Sequence, residues 1–455
     1  MQKYTSLSES RPHFFITNNS EPKHYNMAEA AGVLYAAEHL VEGGIALAKG
    51  IYDPTLPLKA TITPITDIDL PRVHHSVSEV KGRAYVFGGK TDGDELADNA
   101  MHIIILPSSG IESTDYRRLE PTASSPPARY GHCSAIIDDQ IYVFGGSDAN
   151  GSLEEKGRVW VFDTDTNSWS SIDAAVGDVP KARAWAAATA SAQPQPEHRR
   201  TDENVAPQLP PDPAKMVPEP LKPSTYGTFV VYGGVTEKGQ SPNSELWTFD
   251  VTSRTWSQLP SPPAPSDSTS TPSITFHSNR LYAVSGSETH YLDLSFDSTT
   301  YTDKPTQGPT TLSLWSSLHP TTTSNTAKHP ASSSSSTALI PITTGQGRNY
   351  LLHLTSSTLS TLQLTSSKTT AASLKDRARK AISKKTAEGE WAEVRYFNSE
   401  NVMIQEGQAG RGVGDRKGFA ATKVKEIDGG MVLVWGGMDG RGRVRSDGLM
   451  IEVEK

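Results

Sequence analysis

A chain of 455 residues with 35% hydrophobic side chains and a net charge of −8 is long enough for one large sheet body or two to three average domains, but too polar for all of it to be packed. The negative balance is the wrong sign for a surface built wholly to bind nucleic acid or another polyphosphate. The single cysteine, Cys133, excludes an intramolecular disulfide and a cysteine-based zinc site, and it points to a reducing compartment.

Residues 1–27 are polar, lack the apolar run of a signal peptide and are expected to be disordered, with Met27 as a second candidate start. Residues 28–52 place Val33, Leu34, Ala37, Leu40, Val41 and Ala48 at helical spacing. This predicts an amphipathic α-helix that packs against the rest of the chain or docks a partner. Glu38, His39, Glu42 and Lys49 interrupt the apolar stretch, which argues against a membrane span.

From residue 56 onward the chain repeats itself. Short β-branched and aromatic runs close with paired glycines: YVFGG at 85–89, YVFGG at 142–146, VVYGG at 230–234 and LVWGG at 433–437. The pairs are Gly88 and Gly89, Gly145 and Gly146, Gly233 and Gly234, Gly436 and Gly437; YAVSG at 282–286 is a weaker copy. Another strand and a short turn precede each run, as at Asp138-Asp139-Gln140, and a third strand follows. That third strand ends in Asp163 or Asp250, with Trp169 or Trp256 six residues on. The pattern predicts four-stranded meanders.

In chain order, unit one spans 75–119, with Tyr116 in the tryptophan position, and unit two spans 130–172. Unit three starts near Arg183 and resumes at 228–259 after an insertion at 193–224. Nine prolines with interspersed charges make that insertion a predicted disordered loop. Unit four spans 274–318 and carries Trp315. Unit five has predicted strands at 337–343, 350–354 and 359–364, then a basic insertion at 366–390 read as a solvated outer loop, then a fourth strand at 391–396 led by Trp391. Unit six offers only three strands, at 419–423, 431–437 and 448–453. Its fourth is expected from 58–65, which would pair the two ends of the chain and remove free sheet edges.

These residues resemble the kelch repeat of the galactose oxidase/kelch-type superfamily: an inner strand, a strand closing in Gly-Gly, a third strand, and an outer strand led by Trp. The resemblance implies an all-β, six-bladed kelch-type β-propeller over 56–455, with an N-terminal α-helix and disordered loop insertions. The helix, TGQGR at 344–348 and the WGG-containing end are together similar to uncharacterised fungal kelch proteins.

An arginine recurs just before several inner strands: Arg72, Arg129, Arg183 and Arg416, with His75 and His132 three residues after the first two. The resemblance implies that these positions lie near one mouth of the channel, where paired guanidinium donors can bind an acidic peptide or a carboxylate. The competing reading has the arginines bonding backbone carbonyls between neighbouring blades. A metal site from His74, His75 and His132 is not expected, because no carboxylate is seen to recur at a matching position. Cys133, in an apolar inner strand, reads as core. No nucleophile motif, Walker loop or dinucleotide fingerprint is present, so no catalytic residue and no cofactor is assigned. The expected function is a non-enzymatic interaction module or scaffold that binds a protein partner through loops at one channel mouth. The alternative is a propeller enzyme acting on a small carbohydrate or related metabolite in the channel. The expected location is intracellular, with the cytoplasm ahead of the nucleus; no nucleic-acid partner is expected.

Overall fold

The computed structural model describes residues 56–106, 115–194, 226–236, 243–263, 273–285, 288–296, 309–318, 337–344, 347–364, 389–405, 411–424 and 430–454. The disordered tract expected at 1–27, the helix expected at 28–52 and nearly all of the 193–224 and 366–390 insertions lie outside the described residues. Among the described residues there is no α-helix, only a one-turn 3-10 helix at Asp92–Asp94. Everything else regular is strand.

Among the described residues six blade sheets follow one another along the chain, antiparallel save for one outer pair in blade six, with a two-stranded ribbon of Ser147–Asp148 and Gly151–Ser152 besides. Blade one pairs Ser76–Val80, Arg83–Phe87, Met101–Ile105 and Asp115–Leu119 in sequence order. Blade two uses Cys133–Ile137, Gln140–Phe144, Val159–Asp163 and Ser168–Ile172. Blade three uses Ala187–Ser191, Thr228–Tyr232, Leu246–Asp250 and Thr255–Leu259. In blade four, Ser273–His277, Arg280–Ser285 and Glu288–Ser295 are edged by two short stretches, Thr310–Thr311 and Ser316–Ser317, both paired to Glu288–Ser295. Blade five has Thr337–Thr344, Arg348–Thr355, Leu359–Gln363 and Trp391–Glu393. Blade six has Ala420–Lys423, Gly430–Trp435 and Gly448–Glu454. Each first strand neighbours the first strand of the next blade, and that of blade six neighbours that of blade one, so the six sheets close into a ring.

The closing strand is the predicted one. Lys59–Ile65 runs antiparallel to Gly448–Glu454, with Ala60 opposite Val453 and Ile62 opposite Ile451. The fourth strand expected at 391–396 is instead split. Trp391–Glu393 stays in blade five, while Arg395–Asn398 crosses to blade six and lies parallel along the outer edge of Lys59–Ile65. The break has a packing cause: Val394 and Tyr396 are buried with Leu58, Ala60 and Val453 in one core, and the Arg395 amide donates to Leu58 O at 2.8 Å. The closing strand is therefore held on both edges.

Among the described residues there are six apolar cores, each between two successive blades. This explains why the second strands read as unbroken apolar runs. Period-2 alternation sends Tyr85 and Phe87 toward blade two and Ala84 and Val86 toward blade six. The tryptophans of the outer strands reach back into the preceding blade. Trp169 packs on Phe87 with ring centroids 4.9 Å apart, and Trp256 on Phe144 at 5.0 Å. Indole N–H groups donate from Trp256 to Gly157 O at 2.8 Å, from Trp315 to Pro260 O at 2.7 Å, and from Trp391 to Thr289 Oγ1 at 2.9 Å. Tyr116 occupies the tryptophan register in blade one yet does not act as one, being 41% exposed and bonded to His102.

Candidate functional site

The glycine pairs of blades six, one and two lie where the next blade's arginine arrives. Gly88 and Gly89 have φ of 64° and 92°. A Cβ on Gly88 would lie 2.5 Å from Arg129 O, and the Gly89 amide donates to that same carbonyl at 2.8 Å. Only glycine combines the left-handed backbone with so close an approach. Gly146 donates likewise to Arg183 O at 2.9 Å, and Gly437 to Arg72 O at 2.8 Å across the ring closure. The main chain of the arginine thus joins neighbouring blades.

The side chains stay within their own blade. Arg129 donates to Gly145 O at 2.9 Å and forms two bonds with Glu155, at 2.9 and 2.8 Å. Arg183 donates to Gly233 O at 3.0 Å and Glu245 at 2.7 Å. Arg416 donates to Gly436 O at 3.2 Å and Asp447 Oδ2 at 2.8 Å. Arg72 meets Asp98 at 3.2 Å. All four guanidinium groups are buried, Arg129 completely. A carboxylate therefore does recur at a matching position in blades one, two, three and six, correcting the sequence reading; its partner is the arginine. Burial pushes Glu245 and Asp447 upward, but bonds from Arg183 and Trp247 to the first, and the bonds and charges of Arg445 and Arg416 at the second, outweigh it and hold both below the usual carboxylate range.

His75 and His132 are buried in the same layer, each with its ring against the first glycine of the preceding blade's pair, Gly436 and Gly88. His132 Nε2 meets Ser76 Oγ at 2.9 Å. Burial, reinforced by the Arg129 charge, lowers His132 to about 3. Burial and the Arg72 charge put His75 well below its usual value. Both are neutral at pH 7. Cys133 is buried, and that burial pushes its thiol up to about 12, which makes it a core group and not a nucleophile. Among the described residues no group of three or more His, Cys, Asp or Glu side chains is arranged to hold a metal ion.

Two residues after each arginine comes a position that the sequence reading did not single out as a site. His74, Gly131, Trp185 and Gly418 all have left-handed backbone, with φ of 60°, 63°, 64° and 68°. They are joined head to tail: the Trp185 amide donates to Gly131 O at 2.7 Å, Gly131 to His74 O at 2.9 Å, and His74 to Gly418 O at 2.8 Å. This belt crosses the entry ends of four first strands, at one mouth of the channel. The Trp185 ring lies over Gly131, its edge meets His74 at 4.6 Å between centroids, and Tyr130 sits 5.8 Å away. Lys90 Nζ stands 4.1 Å over the Tyr130 ring. Burial lowers His74 to about 4, so its ring is uncharged there at pH 7. The recurring offset from the arginine was visible in the sequence, but only two of the four residues at it, His74, Gly131, Trp185 and Gly418, are alike.

Fold and repeat together define a kelch-type propeller with one structured mouth. A profile described as the KLHDC2/KLHL20/DRC7 Kelch-repeats domain matches residues 58–194. The chain is similar to kelch domain-containing protein 3 of Bos taurus, 30% identical over 25% of this chain and 30% of that protein. It is also similar to beta-scruin of Limulus polyphemus, 24% identical over 43% of this chain and 17% of that protein. The chain thus matches less than a third of the length of either relative. A solved structure titled "Structure of YjhT" covers 86% of this chain and 99% of its own, at 13% identity and a TM-score of 0.45. The chain is a kelch-repeat propeller.

Proposed function

We propose that this propeller is a non-enzymatic interaction module whose contact surface is the mouth formed by the belt in blades six, one, two and three. Kelch domains generally bind proteins. Trp185 carries the assignment to this mouth. A bulky aromatic residue in left-handed backbone is an outlier that costs free energy, and equivalent positions in blades two and six hold glycine. Yet Trp185 is 37% exposed and contributes little to any core. Strain retained for an exposed ring beside Tyr130, His74 and Lys90 favours recognition, since rigid aromatic rings anchor protein interfaces.

Arg72, Arg129, Arg183 and Arg416, with His75 and His132, enter this proposal as the parts that hold the mouth in shape. Their burial favours positioning over direct contact. The test is capture from the native lysate with the full chain as bait. Trp185→Gly restores the residue type of the sister blades, so the expected result is an unchanged melting temperature with loss of the reproducibly captured proteins. Leu314→Ser, at an exposed site on the far edge of blade four, should leave capture intact. Unchanged capture by Trp185→Gly would remove this mouth as the contact surface.

A further inference from the structure

Blade one departs from blades two and three at one slot, which in blade six holds Leu449 opposite Val434. The second residue of the third strand is Trp160 in blade two and Trp247 in blade three, opposite Val143 and Val231. Each indole donates to the acid that holds its blade's arginine, Trp160 to Glu155 at 2.8 Å and Trp247 to Glu245 at 3.1 Å. In blade one the slot, opposite Val86, holds His102. Its Nε2 lies 3.0 Å from Asp98 Oδ1.

An indole can only donate, so in blades two and three the slot aims an N–H at the carboxylate, and His102 fits the same arrangement as the Nε2–H tautomer. Arg72 Nη2, which can only donate, lies 2.9 Å from the same nitrogen and competes with Asp98 for it; the indole donors of blades two and three are the precedent for the Nε2–H form. Nδ1 then keeps its lone pair, and Tyr116 Oη stands 2.7 Å from it with the rings stacked at 19°. His102 is buried while Tyr116 is 41% exposed. Tyr116 is therefore the solvent-facing member of the pair, and the base behind it stays shielded.

We propose that Tyr116, His102 and Asp98 act as nucleophile, general base and orienting acid, making Tyr116 Oη an acceptor for an acyl group from an activated ester or thioester. A hydroxyl within reach of a base that is itself oriented by a third group is the arrangement nucleophilic catalysis uses. In the step, Tyr116 Oη bonds to the acyl carbon as its proton passes to His102 Nδ1. The bond from that carbon to the leaving oxygen or sulfur breaks, the leaving group departs with the electron pair, and the proton is then released from His102 to it or to water. Burial and the nearby Arg72 and Arg118 hold the imidazole below its usual pKa against the pull of Asp98, so the free base is present at pH 7. Burial raises the Tyr116 phenol against the opposing charges of Arg72 and Arg118, with Asp98 and Glu120 adding to the rise, so ionisation without a base is not available.

The experiment exposes the full chain briefly to 4-nitrophenyl acetate at pH 7 and locates acetyl groups by peptide mass spectrometry. The expected result is acetylation of Tyr116 roughly 100-fold faster than that of N-acetyltyrosinamide under the same conditions, the scale of general-base assistance. Tyr116→Phe should lose the label. His102→Gln should fall to the free-tyrosine rate, with melting temperature reporting that both variants remain folded. The opposite tautomer, with Nε2 accepting from Arg72 and Nδ1 donating to the phenol oxygen, offers no base. The proposal is therefore overturned if Tyr116 of the unaltered protein reacts no faster than N-acetyltyrosinamide, a comparison that requires no variant to fold, or if folded His102→Gln keeps the wild-type rate.

Discussion

Blades six, one, two and three are built differently from blades four and five. The first group repeats one device: a buried arginine, an acid, a glycine pair and a left-handed belt residue, all at the same place in the blade. Blade five instead has eight-residue strands, Thr337–Thr344 and Arg348–Thr355, with His353, Ser360, Thr361 and Gln363 buried in its sheet. Blade four meets it through an apolar core that joins Tyr282 and Val284 to Leu339 and Leu351, and through single polar contacts such as the Ser273 and Thr337 hydroxyls 2.5 Å apart. One arc of the ring is thus organised by a repeated polar cradle, the other by longer ladders and contacts particular to each blade.

The strongest way to break this contrast is to remove an arginine from each arc. Arg129→Ala leaves Glu155 and Gly145 O without their buried partner and is expected to cost about 3–5 kcal/mol in urea unfolding. Arg280→Ala in blade four removes an ion pair with Asp293 in which both side chains are about a third exposed, and should cost no more than about 1 kcal/mol. Equal losses would show that the cradle is not special.

Glycine substitutions sharpen the comparison at the next level. Gly145→Ala meets both a φ of 65° and the Arg183 carbonyl, and should cost about 3 kcal/mol or more. Gly347→Ala in blade five has a φ of 74° but open space around it, so about 1 kcal/mol is expected.

Acid should also act first on the cradle arc. The folded pKa of His132 is about 3 against an ordinary 6.5, so the unfolded chain binds a proton that the folded one refuses. The stability this neutral histidine allows is present above pH 6.5 and declines as pH falls toward 3. His132→Gln should flatten the dependence of melting temperature on pH across that window; an unchanged slope would exclude His132 as the source.

The smallest effect concerns the tryptophans. Trp256→Phe loses a buried bond to Gly157 O and should cost about 1 kcal/mol. Trp315→Phe loses a solvent-exposed bond to Pro260 O and should cost a few tenths of that, about 0.3 kcal/mol.

Much of the architecture was legible in the residues because each blade repeats local rules. Glycine pairs mark strand ends, alternation supplies two apolar faces, and Trp169 and Trp256 stand at a constant distance from Asp163 and Asp250. Even the closure by Lys59–Ile65 followed from a blade short of one strand. The site was less legible. The arginines stood out, but Asp98, Glu155, Glu245 and Asp447 did not, because the loops that carry them differ in length from blade to blade. The tyrosine register of blade one was legible too, whereas its pairing with His102 was not.

By itself, then, the sequence determined the repeat, the number of blades and the strand that closes the ring, since these rest on patterns within a few residues. Tertiary structure alone decided that the arginines face inward to acids, that Arg395–Asn398 leaves blade five for blade six, and that Trp185 stands exposed over Gly131. Each depends on groups far apart in the chain meeting in space, within a blade for the arginines and acids and between blades for the other two, and a local pattern carries no record of its distant neighbour.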